Sequence, residues 1–485
     1  MSLLIQPITH LINRSLATAT VPLNLKVAAI TPILKKPGLD NAIHSNYRPI
    51  SNLAFVGKLL EKVVVAQLQS HLERHNLFKP LQSGFRTYHS TETALLKVLN
   101  DLLLASDSGA HSILVLLDLS AAFDTMCHST LISRLSAIGI TGAALQWLTS
   151  YLCDRQQFVK IGKNRSRSVS VSHGVPQGSV LGPLLFLIYL LPLGQIIRQH
   201  GLNFHSYADD IQIYFTINPN SSFPPSSVIS CLHKLKTWMS SNFLQLNAGK
   251  TEILLINPRS QSSPRHDIFI DIDGIEIRPS KTVRNLGVLF DPTLCFHSHI
   301  SQTVKSCFFH LRNIVRIRPS LTFIDAETVI HAFITSRLDF CNSLYSGLPT
   351  KAIHRLQMVQ NSAARALTYN KKSAHITPIL HQLHWLPVIN RIQFKLLVLV
   401  YKALHGPAPK YLVDLVQPYV PTRALRSSTE NLLVVPRVRL STVGGRAFSV
   451  VGPKLWNKLP PNLRAADNIW SFKKQLKTHI FKLAQ

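Results

Sequence analysis

The hydrophobic patterning of the chain predicts an α+β fold with a helical, basic C-terminal part, and three observations carry that expectation. Up to about residue 292, helical-period segments are interleaved with short apolar runs. Val56, Leu59, Leu60, Val63, Val64, Leu68 and Leu72 recur at helical spacing, whereas Ser112–Leu117 (SILVLL) is a continuous apolar run ending abruptly in Asp118, the mark of a buried strand. Beyond about Pro292 the strand-like runs give way to helical segments interrupted by proline. The charge is divided just as unevenly. The 485 residues hold 52 Lys+Arg against 23 Asp+Glu, a formal net charge of +29. Residues 301–485 contain 26 basic and 6 acidic residues, a net of +20, against 26 and 17 in residues 1–300, a net of +9.

Further elements follow in order. A second helix is expected over Thr91–Ala105 and a third from roughly Thr130 to Leu152. FVKIG and RSVSVS, separated by KNRS, predict a hairpin within 157–172. Val180–Leu193 is the most apolar stretch, but it is shorter than the roughly 18–20 residues a membrane span needs and contains Pro183 and Pro192. It reads as a buried core helix. FHSYADDIQIYF predicts two short strands hinged on Asp209-Asp210. A Pro/Ser-rich loop at 219–227, a helix at Val228–Phe243 and strands at Glu252–Ile256, Ile268–Ile277 and Val283–Phe290 complete this part.

Composition narrows the class. Charged residues are 15% of the chain, below the roughly 25% usual for globular proteins, so the basicity comes from missing acids. Apolar residues at 46% exclude a disordered basic tail. A surplus of +29 favours a polyanionic partner, nucleic acid or an anionic membrane surface. The six cysteines form no CxxC pair, and His297/His299 and His381/His384 lack Cys or carboxylate partners nearby in sequence, so no zinc site is expected. Free thiols, with no basic n-region before an apolar core at the N-terminus, predict an intracellular protein of nucleus or cytoplasm.

The acids that remain are placed informatively. Taken alone, Asp118 suits a helix cap or a solvated strand end, and Asp209-Asp210 suits a turn. Together, two buried strands deliver three carboxylates to strand ends about 90 residues apart. If those strands are neighbours the carboxylates converge, and they need a counter-charge to stay ionised. Oxygen-only donors suit magnesium or manganese, and two such ions side by side are the apparatus of in-line phosphoryl transfer.

LLDLSAAFD at 116–124, GVPQGSVLGPLLF at 174–186 and YADD at 207–210 occur in the order and spacing of a reverse transcriptase palm, and the chain resembles that family, specifically its LINE (non-LTR retrotransposon) branch. YRPISNL at 47–53 and QSGFRTYHSTETAL at 82–95 resemble its fingers motifs; WMSSNFLQLNAGKTEIL at 238–254 and VRNLGVLFD at 283–291 resemble its last palm motif and primer grip. The resemblance covers about residues 25–292. It implies a right-hand polymerase, with an N-terminal remnant at 1–24, fingers and palm with an antiparallel sheet at 25–292, a helical thumb at 293–380 and a basic nucleic-acid-binding region at 381–485. It implies two Mg²⁺ (Mn²⁺ as substitute) on Asp118, Asp209 and Asp210, with the carbonyl of Leu119 adding an oxygen. Phe123 would be the steric gate against a ribose 2′-OH. Gln177, Gly178 and Tyr207 would meet the nucleotide, Arg86 would clamp its triphosphate and Lys250 would face the pyrophosphate. Asn285, Leu286 and Gly287 would support the primer 3′ end. Arg48 receives no role.

Partners implied are template RNA, primer or target DNA and dNTPs, with no membrane. FITSRLDFCNSLYSGLP, LHWLPVINRIQFKLLVLVYKALHG and GGRAFSVVGPKLWNKLP also resemble the family's downstream region, and Arg423, Arg426, Arg437, Arg439, Arg446 and the Lys473–Lys477 run would grip phosphates. Proteins of this branch usually carry an endonuclease ahead of the polymerase, and its absence reads as an N-terminally truncated element. The expected function is RNA-directed DNA polymerisation; the alternative is a catalytically idle relic that only binds nucleic acid. An intron maturase or an RNA-dependent RNA polymerase shares the palm, but no maturase-type zinc nuclease is visible and Phe123 disfavours ribonucleotides.

Overall fold

Where the sequence alternates in period, the chain alternates in element. A computed structural model describes residues 2–120, 122–217, 224–258, 268–272, 274–421 and 431–483. Of the basic residues assigned to phosphate gripping, Arg423 and Arg426 lie outside the described residues, as does most of the loop expected at 219–227. The chain divides into two compact units that exchange segments: Met1–Phe85, Leu117–Ile211 and Ser226–Thr251 form the first, and Arg86–Leu116, Gln212–Pro225 and Glu252–Gln485 the second. Asp118, Asp209, Asp210 and Lys250 all belong to the first unit, each within two residues of a point where the chain passes between units.

In the first unit the strand Val27–Leu34 is the centre of a sheet. Tyr47–Asn52 pairs with it antiparallel, and Arg155–Ile161 pairs with it parallel through Val27↔Gln156 to Ile30↔Val159. Val169–Val171 and Asn164–Arg165 fold back on Arg155–Ile161, the hairpin expected from the alternation there. The helix Phe55–Arg74 buries Leu60, Val64, Leu68 and Leu72, the stripe the sequence marked. The helix expected over 130–152 is two, His128–Ala137 and Gly142–Leu152. Gly139 (φ 88°) and Gly142 (φ 57°) take left-handed values that end the first and turn the chain before the second.

Ser2–Ala17 forms a helix where no element was expected. It is fixed by polar contacts: Trp147 Nε1 donates to Ser15 Oγ at 3.0 Å, and the Val21 amide donates to Ser150 Oγ at 3.0 Å. Gly182–Gln199 has the length and apolarity to cross a membrane, but it divides at Leu190–Pro192 into helices Gly182–Tyr189 and Leu193–Gln199 and is mostly buried. The buried Glu61 carboxylate accepts the Leu181 amide at 3.0 Å and the Val180 amide beside it, satisfying backbone donors just ahead of the first of these helices.

In the second unit Glu252–Ile256 pairs antiparallel with His111–Leu117 from Glu252↔Leu116 to Ile256↔Ser112, and Asp210–Ile217 flanks His111–Leu117 on its other side. The single strands expected at 268–277 and 283–290 are hairpins instead, Ile270–Ile272 with Ile275–Ile277 and Val283–Asn285 with Val288–Phe290. The helix Thr91–Asp107 is the spine on which distant segments hang. Glu92 accepts from the Ser343 amide and hydroxyl, and Asn100 Oδ1 from the Ser449 amide. Asp107 accepts the amides of Arg439 and Leu440 at 2.7 Å and of Gly444 at 3.3 Å. Beyond residue 292 the chain is helical, with His297–Ile317, Thr350–Thr368, Val388–Leu404, Phe448–Trp456 and Ile469–Leu483 as its longer members.

Candidate active site

Asp118 is the first residue after the buried strand His111–Leu117. Leu119 and Ser120 pair antiparallel with Leu246 and Gln245, and the Asn247 amide donates to the Asp118 carbonyl at 2.9 Å, extending that short ladder by one rung. The chain then closes a 3₁₀ turn at Ala248–Lys250, so Lys250 Nζ stands 3.2 Å from Asp118 Oδ2. A pair 132 residues apart in sequence is thus brought together by two residue pairs of β-ladder.

Asp209 sits in a tight turn between the strands Asn203–Tyr207 and Asp210–Ile217. The turn requires Ala208 in the left-handed region (φ 57°), an unfavourable conformation for alanine. The segment 81–84 compensates. Ser206 exchanges backbone hydrogen bonds with Leu81 and Ser83, and Ser83 Oγ meets His205 Nε2 at 2.8 Å. Gln82 Oε1 accepts both the Gly84 amide (2.8 Å) and the Ala208 amide (3.0 Å), while Gln82 Nε2 donates to the Ala208 carbonyl at 3.4 Å. A Cβ on Gly84 would stand 2.5 Å from the Ala208 nitrogen, so glycine is required for this approach. The sequence reading singled out Arg86 in this motif and passed over Gln82 and Gly84.

Gln177 and Gly178 lie on a loop stitched to the strand Tyr47–Asn52. The Ser51 amide donates to the Gln177 carbonyl at 2.7 Å, and Gly178 adopts φ 119° with its Cβ direction 2.8 Å from the Ser51 oxygen. Gln177 Nε2 donates to Asp124 Oδ2 at 2.8 Å, fixing which way the carboxamide faces. Phe123 is half-buried and stacks on the fully buried Phe186, with centroids 4.6 Å apart and planes 26° apart, and its carbonyl accepts the Val175 amide.

These elements enclose a pocket of about 590 Å³ lined by Asp118, Leu119, Phe123, Asp124, Gln177, Gly178, Asp209 and Lys250. It is also lined by Lys35 and Arg48, two cations to which the sequence reading gave no role. Burial raises the Asp209 carboxyl above its ordinary range and the Asp118 charge adds to the rise, while Arg48 pulls it back down. Asp210 is pushed up to about 6 by burial, then by the charges of Asp209 and Asp118. Asp124 is also raised by burial, against its hydrogen bond from Gln177. The three aspartates of the sequence motif therefore feel one another. Among the described residues, no three Asp, Glu, His or Cys side chains gather closely enough to form a preassembled metal cage.

The remaining residues singled out from sequence are placed elsewhere. Tyr207 ends the strand before the Asp209 turn and does not line the pocket. Arg86, Asn285, Leu286 and Gly287 belong to the second unit. There Asn285 is buried and its Nδ2 donates to Gln212 Oε1 at 2.8 Å. Leu286 (φ 43°) and Gly287 (φ 90°) form the two-residue turn of the hairpin, both at positive φ as a type I′ turn demands.

A family model for reverse transcriptase (RNA-dependent DNA polymerase) matches residues 33–290, more than half of the chain. The chain belongs to the reverse transcriptase family. Its relatives are polymerases of non-LTR retrotransposons, as the LINE-type wording of its motifs led us to expect. The probable RNA-directed DNA polymerase from transposon BS of Drosophila melanogaster is 27% identical over 366 residues, covering 73% of this chain and 40% of that protein. The RNA-directed DNA polymerase from mobile element jockey of Drosophila funebris is 24% identical, covering 73% of this chain and 39% of that one. The chain thus spans about two fifths of the length of these relatives. Among solved structures, telomerase from Candida albicans in complex with a fragment of telomeric RNA matches at TM-score 0.37 and 13% identity, over 76% of this chain and 64% of that one.

Proposed function

We propose that this reverse transcriptase is a working RNA-directed DNA polymerase that adds dNTPs to a primer 3′ end. The observation that carries the reading is the joint placement of Asp118, Asp209, Phe123, Gln177 and Gly178 around one pocket. Those residues come from three separate sequence segments, and the polymerase reading needs them together.

The donor set fits a hard divalent cation. Asp118 and Asp209 line the pocket and Asp210, the next residue along, does not, but all three are oxygen donors, and burial, with the neighbouring carboxylate charges adding to it, raises the latter two. We assign two Mg²⁺ to these carboxylates and the Leu119 carbonyl, with substrate phosphates completing the coordination, because Mg²⁺ typically takes only one or two carboxylates from the protein. When bound, such ions supply charge stabilisation to the entering and leaving oxygens. The chain's own residues do the rest. Lys35 and Arg48 line the pocket as cations for the triphosphate. Lys250, held beside Asp118, offers a proton to the departing pyrophosphate. Phe123, braced by Phe186, fills the space a ribose 2′-OH would need, and Asp124 holds the Gln177 amide toward the nucleotide. The triphosphate clamp at Arg86, the nucleotide contact at Tyr207 and the primer support at Asn285, Leu286 and Gly287 are proposed on the motif resemblance.

Purified protein given poly(rA)/oligo(dT), Mg²⁺ and dTTP should extend the primer, and Asp209→Asn should abolish extension while leaving the fold intact. Folded wild-type protein that binds the template and never extends it would instead support the relic.

A further inference from the structure

The chain has five tryptophans. Trp147, Trp385 and Trp456 are buried, and Trp238 is half-buried beneath the Arg134 guanidinium. Trp470 is 72% exposed. It stands near the start of the helix Ile469–Leu483, whose buried stripe is Phe472, Leu476 and Ile480. That stripe is complete without it: Phe472 stacks on Tyr401 at 4.3 Å and meets Trp456 at 5.8 Å. The indole therefore contributes little to the core, and its exposure calls for another reason.

The surroundings suggest one. Trp470 lines an open groove of about 610 Å³ with Asn462, Lys474, Gln475, Thr478 and Lys482, and no acidic residue borders it among the described residues. Lys474 Nζ lies 5.5 Å from the indole centroid, a cation–π pairing that sets a positive charge beside the ring. Lys474 and Lys482 are eight positions apart, which on a helix is about 12 Å along the axis. Lys473 and Lys477 add charge on the same helix. A platform ring, flanking cations and amide or hydroxyl groups for base edges are the components of a single-strand binding site.

We propose that this groove binds single-stranded nucleic acid, with one base stacked on Trp470 and neighbouring phosphates on Lys474 and Lys482. A duplex keeps its base faces inside its own stack and offers nothing for the indole. Exposed tryptophan with lysine also suits an anionic lipid surface, but a membrane-facing side would be apolar, whereas Asn462, Ser471, Gln475 and Thr478 line this one. The choice of ligand rests on the polymerase reading; the site itself does not.

The test uses the full chain and fluorescein-labelled oligo(dT) and oligo(rU) of 20 nucleotides, a 20-base-pair duplex and phosphatidylserine-containing vesicles. Trp470→Ala and Trp470→Leu should each weaken single-strand binding at least about five-fold, the low end for stacking one base on an aromatic ring, while Trp470→Phe stays near wild type. Duplex affinity should change less than two-fold. Lys474→Gln should lower the salt slope by about 0.7. Leucine preserves apolar bulk, so a loss shared by the Ala and Leu variants at unchanged melting temperature reports the ring. The proposal fails if both variants bind single strands as wild type does, if single strand and duplex weaken equally, or if only vesicle binding responds. Primer extension by the wild-type chain reports the polymerase reading, and oligonucleotide binding by the Trp470 variants reports this site, so the two failures are separable.

Discussion

Replacing Gln82 by alanine removes both hydrogen bonds that its Oε1 accepts, from Gly84 and from Ala208, and the longer one its Nε2 donates. Ala208 is held at φ 57°, which costs an L-residue roughly 1–2 kcal/mol. Two neutral hydrogen bonds at about 1 kcal/mol each contribute roughly 2 kcal/mol, just enough to offset that strain. Without them the turn relaxes and Asp209, the next residue, loses its fixed position. If the same ~2 kcal/mol is lost from the transition state, kcat falls about 30-fold, within a range of about 10- to 100-fold. The dNTP KM should move less than about three-fold, because the pocket walls at Phe123 and Gln177 are untouched. Ala208→Gly should restore much of the activity to the Gln82→Ala variant, since glycine adopts positive φ without steric cost. Single-turnover primer extension measures both effects. Unimpaired extension by Gln82→Ala, or a deeper defect in the double variant, would refute the account of the turn.

Asp107→Ala strands the Arg439 and Leu440 amides, each 2.7 Å from a buried carboxylate, and should cost about 3–5 kcal/mol in urea unfolding, with Asp107→Asn milder; a change below 0.5 kcal/mol would show that the spine is not anchored there. Without metal, Asp210 keeps its proton to about pH 6 in the folded chain and to about pH 4 unfolded, so stability should fall as pH rises through 4–6. Mg²⁺ should accordingly raise the melting temperature more at pH 7.5 than at pH 5, and Asp210→Asn should shrink that difference; equal shifts at both pH values would contradict the carboxylate cluster. Phe123→Ala should admit ribonucleotides in primer extension, and unchanged sugar selectivity would remove the gate from Phe123.

The strands and long helices were legible from their apolar patterning: SILVLL, short and ending abruptly in Asp118, reads as a buried strand, and Val56 to Leu72 as one helix face. Boundaries failed where glycine or a turn decides. Gly139 and Gly142 split one expected helix, and the Leu286–Gly287 turn folded one expected strand into a hairpin. Ser2–Ala17 was invisible because Leu4 and Ile5 point outward and its anchoring depends on Trp147 and Ser150, far away in sequence. In the site, the carboxylates announced themselves as acids ending apolar runs. Lys35 and Arg48 did not, because one more cation in a chain of 52 carries no signal until a pocket collects it. Gln82 escaped for the same reason: its role is a pair of backbone contacts 126 residues away.

The most direct measurement is template-directed incorporation by the purified chain on two RNA templates, poly(rA)/oligo(dT) and poly(rC)/oligo(dG), each offered all four dNTPs one at a time with Mg²⁺. A polymerase built on Asp118 and Asp209 should add only dT to the first and only dG to the second, and Asp118→Asn and Asp209→Asn should each silence both. Incorporation that ignores the template, or that survives loss of either aspartate, would contradict the assignment of this pocket.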